Sequence, residues 1–353
     1  MLNKRDTVYL KGIGILLIMF HNFFYKLDGA PGENEFAFSL MNFVNLIDNI
    51  VENPFDITKQ LFSFFGHYGV QIFVFLSGYG LSITYEKQLS TFFSFIKKRW
   101  LKIFPLLLGA IMIYVFPKIF YVLLLKNDTH LAIELIKSSL LKLTLLSNFF
   151  PGKVLSICGP WWFFSLIFQL YLLFPILFRL RRNFLLIVIF FSWIIQLAVL
   201  SVDASYISYF RRNFIGHLPE FCLGIYFVKC KIEKIKPFVF LISILIFCLG
   251  CVNQYLWVFS FFTIPFIVIY LYQLVNINNS NKFHNIITYF GKNSMYLFAV
   301  HGFLIHILFA LANKSTFFSV VSLFLYLLVS LFVALFLKFC LTIVDKKILK
   351  HNL

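Results

Sequence analysis

The order of apolar and polar residues along the chain predicts ten membrane-spanning helices. Apolar runs of 16 to 25 residues alternate with polar segments, and a helix of about 20 apolar residues crosses the hydrocarbon layer of a bilayer. A shorter run at 139–150 predicts a surface or re-entrant helix. The predicted spans are residues 8–27, 67–85, 102–125, 160–178, 184–200, 213–229, 237–252, 255–274, 287–311 and 317–341.

The charged residues between these runs predict that both termini are cytoplasmic. In that orientation the inside segments hold 21 of the 31 Lys and Arg residues, and basic residues in short loops mark the cytoplasmic face. The long outside segments are 28–66, expected to be an exposed loop with one amphipathic helix, and 126–159. We therefore expect an all-α polytopic membrane bundle, with one domain over 1–345 and a short cytoplasmic tail at 346–353.

The composition excludes a soluble globular protein. The chain is 61% hydrophobic and 13% charged, with a mean hydropathy of +0.88, whereas soluble domains carry about 25% charged residues. The net charge of +17 comes from basic residues clustered in the segments between the apolar runs, and the sequence contains no recognisable nucleic-acid-binding motif. The six cysteines lack CxxC spacing, so neither a disulfide framework nor a metal is predicted. The expected partner is the lipid bilayer and not a nucleic acid, and nothing in the sequence indicates an oligomeric state.

Two polar residues interrupt the first span, YLKGIGILLIMFHNFF. Lys11, at its entrance, is typical of an interfacial lysine whose amine reaches polar surroundings. His21 lies roughly 15 Å further along a helix, a depth at which a polar side chain is costly unless it faces protein, water or a substrate. A neutral imidazole there is either a hydrogen-bonded packing residue or a general base.

A basic cluster precedes the third span, in the stretch FIKKRWLKIFPLL. Lys98, Arg99 and Lys102 lie within one or two turns of a helix at its predicted cytoplasmic end. Such a cluster either sets the topology or binds the phosphates of a ligand.

Two later spans carry further ionisable residues. In FIGHLPEFCLGIYF, Glu220 is the only acid that this topology places inside a span, and it follows His217 by three residues. It is either a functional residue or the partner of Arg211 or Arg212. In YFGKNSMYLFAVHGFLIH, His301 lies near mid-depth, as a packing or a functional residue.

Taken in order, these stretches resemble the landmarks of the acyltransferase-3 family of integral membrane acyltransferases. The resemblance implies a bundle of about ten membrane helices. It also implies transfer of an acyl group, usually acetyl from cytoplasmic acetyl-CoA, to an acceptor that is commonly an extracytoplasmic sugar hydroxyl. The stretches that carry it are KGIGILLIMFHNFF, GVQIFVFLSGYGL, FIKKRWLKIFPLL, GPWWFFSLIFQLYLLFPIL, LPEFCLGIYF and GKNSMYLFAVHGFLI.

Three positions depart from the pattern of that family. The family separates its first basic residue from the histidine by ten residues, whereas nine separate Lys11 from His21, which offsets the two by ~80° around a helix. Gln71 takes the place of an acid on the second helix. The family's basic pair corresponds to Arg99 and Lys102, and a lysine keeps the charge but loses the bidentate geometry of arginine.

The resulting hypothesis is a membrane O-acyltransferase in a bacterial inner or plasma membrane. Its donor is acetyl-CoA or another acyl-CoA, and its acceptor is a hydroxyl of a cell-surface or lipid-linked glycan. His21 is either the catalytic base or the carrier of the acyl group, and Glu220 and His301 orient it or bind the acceptor. The residues expected to bind acetyl-CoA are Lys11, Lys98, Arg99 and Lys102.

The alternative is a transporter or flippase of a glycan or small metabolite, without acyl chemistry. Buried histidine and glutamate residues are typical of proton relays, although the sequence shows none of the repeated halves common in transporters. Trp161 and Trp162, at the outer end of the fourth span, either anchor the chain at the membrane interface or stack on a sugar ring.

Overall fold

The computed structural model describes residues 2–275 and 282–351, and within these ranges every regular element is a helix. The predicted all-α architecture is confirmed. The last helix extends into the predicted tail as far as His351, and residues 352–353 lie outside the described ranges. The α-helices are α1 (Lys4–Phe24), α2 (Leu40–Glu52), α3 (Ile57–Phe65), α4 (Gly69–Lys87), α5 (Phe92–Leu125), α6 (Thr129–Leu143), α7 (Trp162–Arg179), α8 (Arg182–Val202), α9 (Ile207–Arg211), α10 (Leu218–Lys229), α11 (Pro237–Val252), α12 (Gln254–Val275), α13 (Lys282–Lys292), α14 (Ser294–Leu304), α15 (Phe309–Ala312) and α16 (Thr316–His351).

In the described part of the chain, eight helical stretches are long and apolar enough to cross a membrane. They are Lys4–Phe24, Pro54–Lys87, Phe92–Leu125, Gly159–Arg179, Arg182–Val202, Gln254–Val275, Ser294–Ala312 and Thr316–Val344. The predicted spans at 213–229 and 237–252 correspond to shorter helices, α10 with 12 residues and α11 with 16. The protein is therefore a multi-pass helical membrane bundle.

Helix α1 begins with a capping box and is surrounded by other helices. The side chain of Asn3 accepts hydrogen bonds from the backbone N–H groups of Arg5 and Asp6, and Asp6 accepts one from the backbone N–H of Asn3. Beyond this cap, α1 packs against α3, α4, α13 and α14. Polar side chains on α1 can therefore face protein or an internal cavity instead of lipid.

The acid-rich segment between α1 and α2 is folded against the bundle, so the prediction of an exposed loop is wrong there. Asn34 and Phe36 are buried, while Glu33 and Glu35 are half-buried. The side chain of Asn34 exchanges two hydrogen bonds of 3.1 Å with the backbone of Ser39. Because these bonds satisfy the polar groups inside the protein, the polar composition of the segment did not indicate its burial.

The run at 139–150 does not form the single surface or re-entrant helix that was predicted. Helix α6 ends at Leu143, and a short 3₁₀ turn follows at Ser147–Phe149. Leu145 separates them with a φ of 61°. This left-handed conformation ends the helix, so the apolar run is divided into two elements.

Candidate active site

A cavity of about 280 Å³ lies between α1, α14 and the segment that joins α1 to α2. We call it the outer cavity, since the predicted topology places it toward the extracytoplasmic side. Its aromatic walls include Tyr25 and Trp162. Cavities that combine hydrogen-bonding groups with aromatic faces are suited to small polar ligands. The polar side chains that line it are His21, Asn22, Lys26, Glu33, Glu35, His67, Arg212 and His306.

His21 is held in one orientation in this cavity. The side chain is 4% exposed, and its Nδ1 lies 2.8 Å from the carbonyl oxygen of Ser63. Because a carbonyl oxygen only accepts hydrogen bonds, we assign the proton to Nδ1 and the lone pair to Nε2. The ring stacks on Tyr25, with centroids 5.2 Å apart and planes inclined by 13°. An imidazole fixed in this tautomer can accept a proton at Nε2.

Gly66 allows the chain before α4 to approach His21. A Cβ atom at this position would lie 2.7 Å from the Cβ of His21 and 2.6 Å from the carbonyl oxygen of Leu17. A larger residue would therefore force this turn away from α1. The absence of a side chain at Gly66 is thus a condition for the bond between His21 and Ser63, which are 42 positions apart.

Two residues that were not predicted from the sequence lie beside His21. The His67 ring centroid is 5.5 Å from that of His21. Glu33 approaches from the segment between α1 and α2, so that one nitrogen or oxygen atom from each of the three side chains lies within 4.8 Å of the others. His67 precedes an apolar run and Glu33 belongs to a segment expected to be exposed. Only the polarity of His67 at the start of a predicted span was a usable signal.

Burial changes the protonation of the acids in the outer cavity. It raises the pKa of the Glu33 carboxyl to about 7, and burial together with the neighbouring Glu33 raises the pKa of Glu35 well above its usual range. Arg212 opposes both shifts; its guanidinium carbon lies 4.7 Å from the ring centroid of Phe36. Near neutral pH, this pair of acids can therefore donate as well as accept hydrogen bonds.

A second cavity of about 300 Å³ lies at the predicted cytoplasmic end of the bundle. We call it the inner cavity. Lys11, Arg99 and Lys102 all line it, whereas Lys98 is exposed and lies outside its wall. Three cations around one cavity favour a ligand with several phosphate charges. Lys11 and His21 thus line different cavities.

The two cavities share Phe298 as a lining residue. Its side chain is 5% exposed, and its ring packs against Phe163 and His301 with centroid distances of 4.9 Å and 5.4 Å. One buried aromatic residue therefore contributes to the walls of both the inner cavity, which is basic, and the outer cavity, which contains His21.

A family model described as an acyltransferase domain matches residues 8–342, nearly the whole chain. The chain belongs to the acyltransferase-3 family. It is therefore a membrane acyltransferase, and this membership favours the enzymatic hypothesis over the transporter. Neither a curated protein nor a solved structure matches the chain.

In this acyltransferase, the two other predicted catalytic residues are buried and do not themselves line either cavity. Glu220 is 1% exposed, and among the described side chains its Oε2 has no hydrogen-bond partner. His301 is fully buried, and its Nδ1 lies 3.1 Å from the carbonyl oxygens of Leu297 and Phe298. Neither Glu220 nor His301 lines the inner or the outer cavity. Their roles in orienting His21 or binding the acceptor stay predictions.

The two tryptophans of the acyltransferase occupy different environments. Trp161 is fully buried, and its Nε1–H donates a 2.8 Å hydrogen bond to the carbonyl oxygen of Ala299. Trp162 is 4% exposed and lines the outer cavity, where its ring meets Phe36 edge to face at 5.0 Å. Since both are buried in the protein, the alternative of interfacial anchoring is wrong, and only Trp162 is placed to face a ligand.

Proposed function

We propose that the protein transfers an acyl group, such as acetyl, from cytoplasmic acyl-CoA to a hydroxyl of a cell-surface or lipid-linked glycan in a bacterial inner or plasma membrane. The observation that supports this proposal is the pair of cavities that share Phe298 as a lining residue. In this scheme the donor occupies the inner cavity and the acceptor occupies the outer cavity.

The donor is held through its phosphates. Lys11, Arg99 and Lys102 supply the positive charge, and charge-assisted hydrogen bonds to phosphate are among the stronger polar contacts in proteins. Lys11 and His21 are ten positions apart on α1, which corresponds to roughly 15 Å along a helix. The acyl end of the donor extends over this distance and passes Phe298 to reach His21.

The chemistry is centred on the lone pair at Nε2 of His21. As a general base, Nε2 takes the proton of the acceptor hydroxyl while its oxygen attacks the thioester carbonyl. The C–S bond breaks, and the CoA thiolate receives the proton from Nε2. As an acyl carrier, Nε2 itself attacks the thioester carbonyl, and the C–S bond breaks to release the CoA thiolate. The acceptor hydroxyl then attacks the acyl carbon, the C–N bond to Nε2 breaks, and the hydroxyl proton passes to the CoA thiolate or, once CoA has left, to water. Both routes require the tautomer that the Ser63 carbonyl selects.

The acceptor is bound by the polar and aromatic walls of the outer cavity. Tyr25 and Trp162 offer ring faces, while Asn22 and Arg212 offer hydrogen-bond donors. A hydroxyl-rich ring can satisfy both kinds of group at once. These features favour a glycan over a purely apolar acceptor.

The product tests this proposal. The purified protein in nanodiscs is incubated with radiolabelled acetyl-CoA and a membrane glycolipid and polysaccharide extract, and the label on the glycan fraction is measured before and after mild alkali. Alkali-labile label, formed together with free CoA, is the expected result. Label that resists alkali contradicts transfer to a hydroxyl, because the ester product is alkali-labile. Failure of acetyl-CoA to bind or react contradicts its assignment as the acyl donor.

A further inference from the structure

The cluster of His21, His67 and Glu33 has the composition of a metal site. The three side chains come from α1, from the 3₁₀ turn before α4 and from the segment between α1 and α2. Their ligand-type atoms lie within 4.8 Å of one another. A tetrahedral zinc ion places neighbouring ligand atoms about 3.3 Å apart. Rotation of the half-buried Glu33 side chain, whose Oε2 accepts a hydrogen bond from the backbone N–H of Glu35, must provide the remaining approach and reorient this bond.

The environment of His67 is a second and independent observation. Its side chain is 1% exposed, and neither Nδ1 nor Nε2 makes a hydrogen bond of good geometry to a described residue; the backbone of Phe64 offers only a weak contact. A buried polar group without a partner is unfavourable, so an imidazole left in this state calls for a ligand. His67 also lines the outer cavity, from which an ion can enter.

The hydrogen bond of His21 supports the same assignment. Histidines that bind metals usually donate the N–H of the other ring nitrogen to a carbonyl or carboxylate. The contact between Nδ1 of His21 and the Ser63 carbonyl has this form, and it leaves Nε2 for the ion. Two imidazoles and one carboxylate are a ligand set that zinc accepts while keeping a fourth position open.

We infer that the outer cavity binds a divalent transition-metal ion of the zinc type through His21, His67 and Glu33, and that this ion inhibits the enzyme from the extracytoplasmic side. The inhibitory effect rests on the proposed function. When the ion takes the lone pair on Nε2, His21 can neither accept a proton nor carry an acyl group. The ion and the acceptor therefore compete for one cavity.

Binding is measured first, without reference to activity. The full chain is purified through an affinity tag without histidines, treated with a chelator and titrated with Zn²⁺ by calorimetry, and with Co²⁺ by visible absorption. We expect one ion per chain and the absorption bands of a tetrahedral nitrogen and oxygen site. His67→Gln and Glu33→Gln are each expected to weaken binding by ~100-fold or more, beyond the 10- to 100-fold effect of losing a residue that only supports a ligand.

The control variant is His130→Gln, which removes an exposed histidine at the start of α6. It is expected to bind Zn²⁺ as the intact chain does. Size-exclusion profiles and unfolding temperatures without metal identify any variant that is misfolded. The site is overturned if the intact chain does not bind Zn²⁺. It is also overturned if correctly folded His67→Gln and Glu33→Gln bind Zn²⁺ as tightly as the intact chain does.

The inhibitory effect is then tested with labelled acetyl-CoA. Zn²⁺ is expected to stop acyl transfer by the intact chain, with an effect that more acceptor reverses. Stimulation by Zn²⁺ overturns the inhibitory role. A chain that binds Zn²⁺ stoichiometrically but transfers no acyl group even when it is metal-free contradicts the proposed function and leaves the metal site standing. A chain that transfers acyl groups but binds no Zn²⁺ overturns the metal site and leaves the proposed function standing.

Discussion

The Nδ1–H of His21 donates a hydrogen bond to the carbonyl oxygen of Ser63 at 2.8 Å. This contact joins the last turn of α1 to the end of α3 and assigns the lone pair of the imidazole to Nε2. The same ring stacks on Tyr25 and lies beside His67. A histidine that the sequence places deep in a span is thus held by protein on one side and open to a cavity on the other. The proposed chemistry depends on this asymmetry.

Gly66→Ala is expected to reduce acyl transfer without abolishing donor binding. The added Cβ would lie within 2.7 Å of both His21 and the Leu17 carbonyl oxygen, so the turn at Gly66 must move away from α1 and shift the adjoining end of α3, which carries Ser63. A displacement of about 1 Å at a catalytic group can lower the rate ~100-fold. Steady-state kinetics with acetyl-CoA should show a lower kcat with little change in KM. An unchanged kcat in the folded variant contradicts the role of this contact.

Arg99→Ala is expected to weaken acyl-CoA binding by ~10-fold or more, because a hydrogen bond to a charged group contributes about 1.5–3 kcal/mol. The variant is compared with Lys97→Ala, which removes an exposed cation from the same helix outside the inner cavity. Binding is followed by calorimetric titration with CoA. An equal effect of the two substitutions indicates nonspecific attraction by the basic end of α5 and argues against a phosphate site at Arg99.

Phe298→Ala is expected to join the two cavities and to raise the hydrolysis of acyl-CoA several-fold when no acceptor is present. The reason is that Phe298 lines both cavities, so its removal admits water from the acceptor side to the thioester. Release of free CoA without acceptor is the measurement. Phe324→Ala is the control, since this phenylalanine of α16 is 62% exposed. If Phe298→Ala retains acyl transfer but shows no increase in hydrolysis, the proposed role of Phe298 in excluding water is wrong.

Lys142 is expected to make stability depend on alkaline pH. Its side chain is 1% exposed on α6, outside the predicted spans, and burial lowers its pKa from 10.5 to about 8. The unfolded chain therefore binds the proton more tightly, so the free energy of unfolding rises between pH 8 and pH 10.5, by roughly 3 kcal/mol in total. Below pH 8 this contribution is constant and destabilising.

Lys142→Met removes this dependence, and unfolding in detergent at several pH values measures it. The increase in stability of the intact chain between pH 8 and pH 10.5 should be absent from the variant. Lys137→Met, which replaces an exposed lysine of the same helix, is the matched control. Parallel pH curves for the intact chain and Lys142→Met are not compatible with a buried, destabilising charge at this position.

The sequence allowed prediction of the helical bundle and of several residues that line its two cavities. Hydropathy identifies spans because each must satisfy its backbone within the membrane. Lys11, Arg99 and Lys102 were selected as a donor site, and the structure places all three around the inner cavity. The charge pattern alone did not distinguish Lys98, which is exposed outside the inner cavity, from the three cations that line it. Within a few residues, helical periodicity cannot show which side chains line a cavity and which face outward.

The residues that line the outer cavity beside His21 could not be predicted from local patterns in the sequence. Glu33 and His67 reach His21 through folding of segments that are distant along the chain, and neither belongs to a repeated spacing. Glu33 is half-buried, whereas the polar residues around it in the sequence predicted an exposed loop. In the same way, Glu220 and His301 are polar residues at membrane depth, yet neither lines the inner or the outer cavity. A polar residue inside a span indicates that its side chain faces the interior of the protein. It does not indicate whether that side chain lines a cavity or is packed among other side chains.

The most direct test of the account compares the intact chain with His21→Ala in nanodiscs, with labelled acetyl-CoA and a glycan acceptor. We expect both proteins to bind acetyl-CoA with similar affinity, because the proposed site for the donor phosphates is the inner cavity. We expect a loss of transfer of ~10²- to 10⁴-fold in His21→Ala, the contribution typical of general acid–base catalysis. Transfer by folded His21→Ala at the rate of the intact chain would contradict the central role of Nε2.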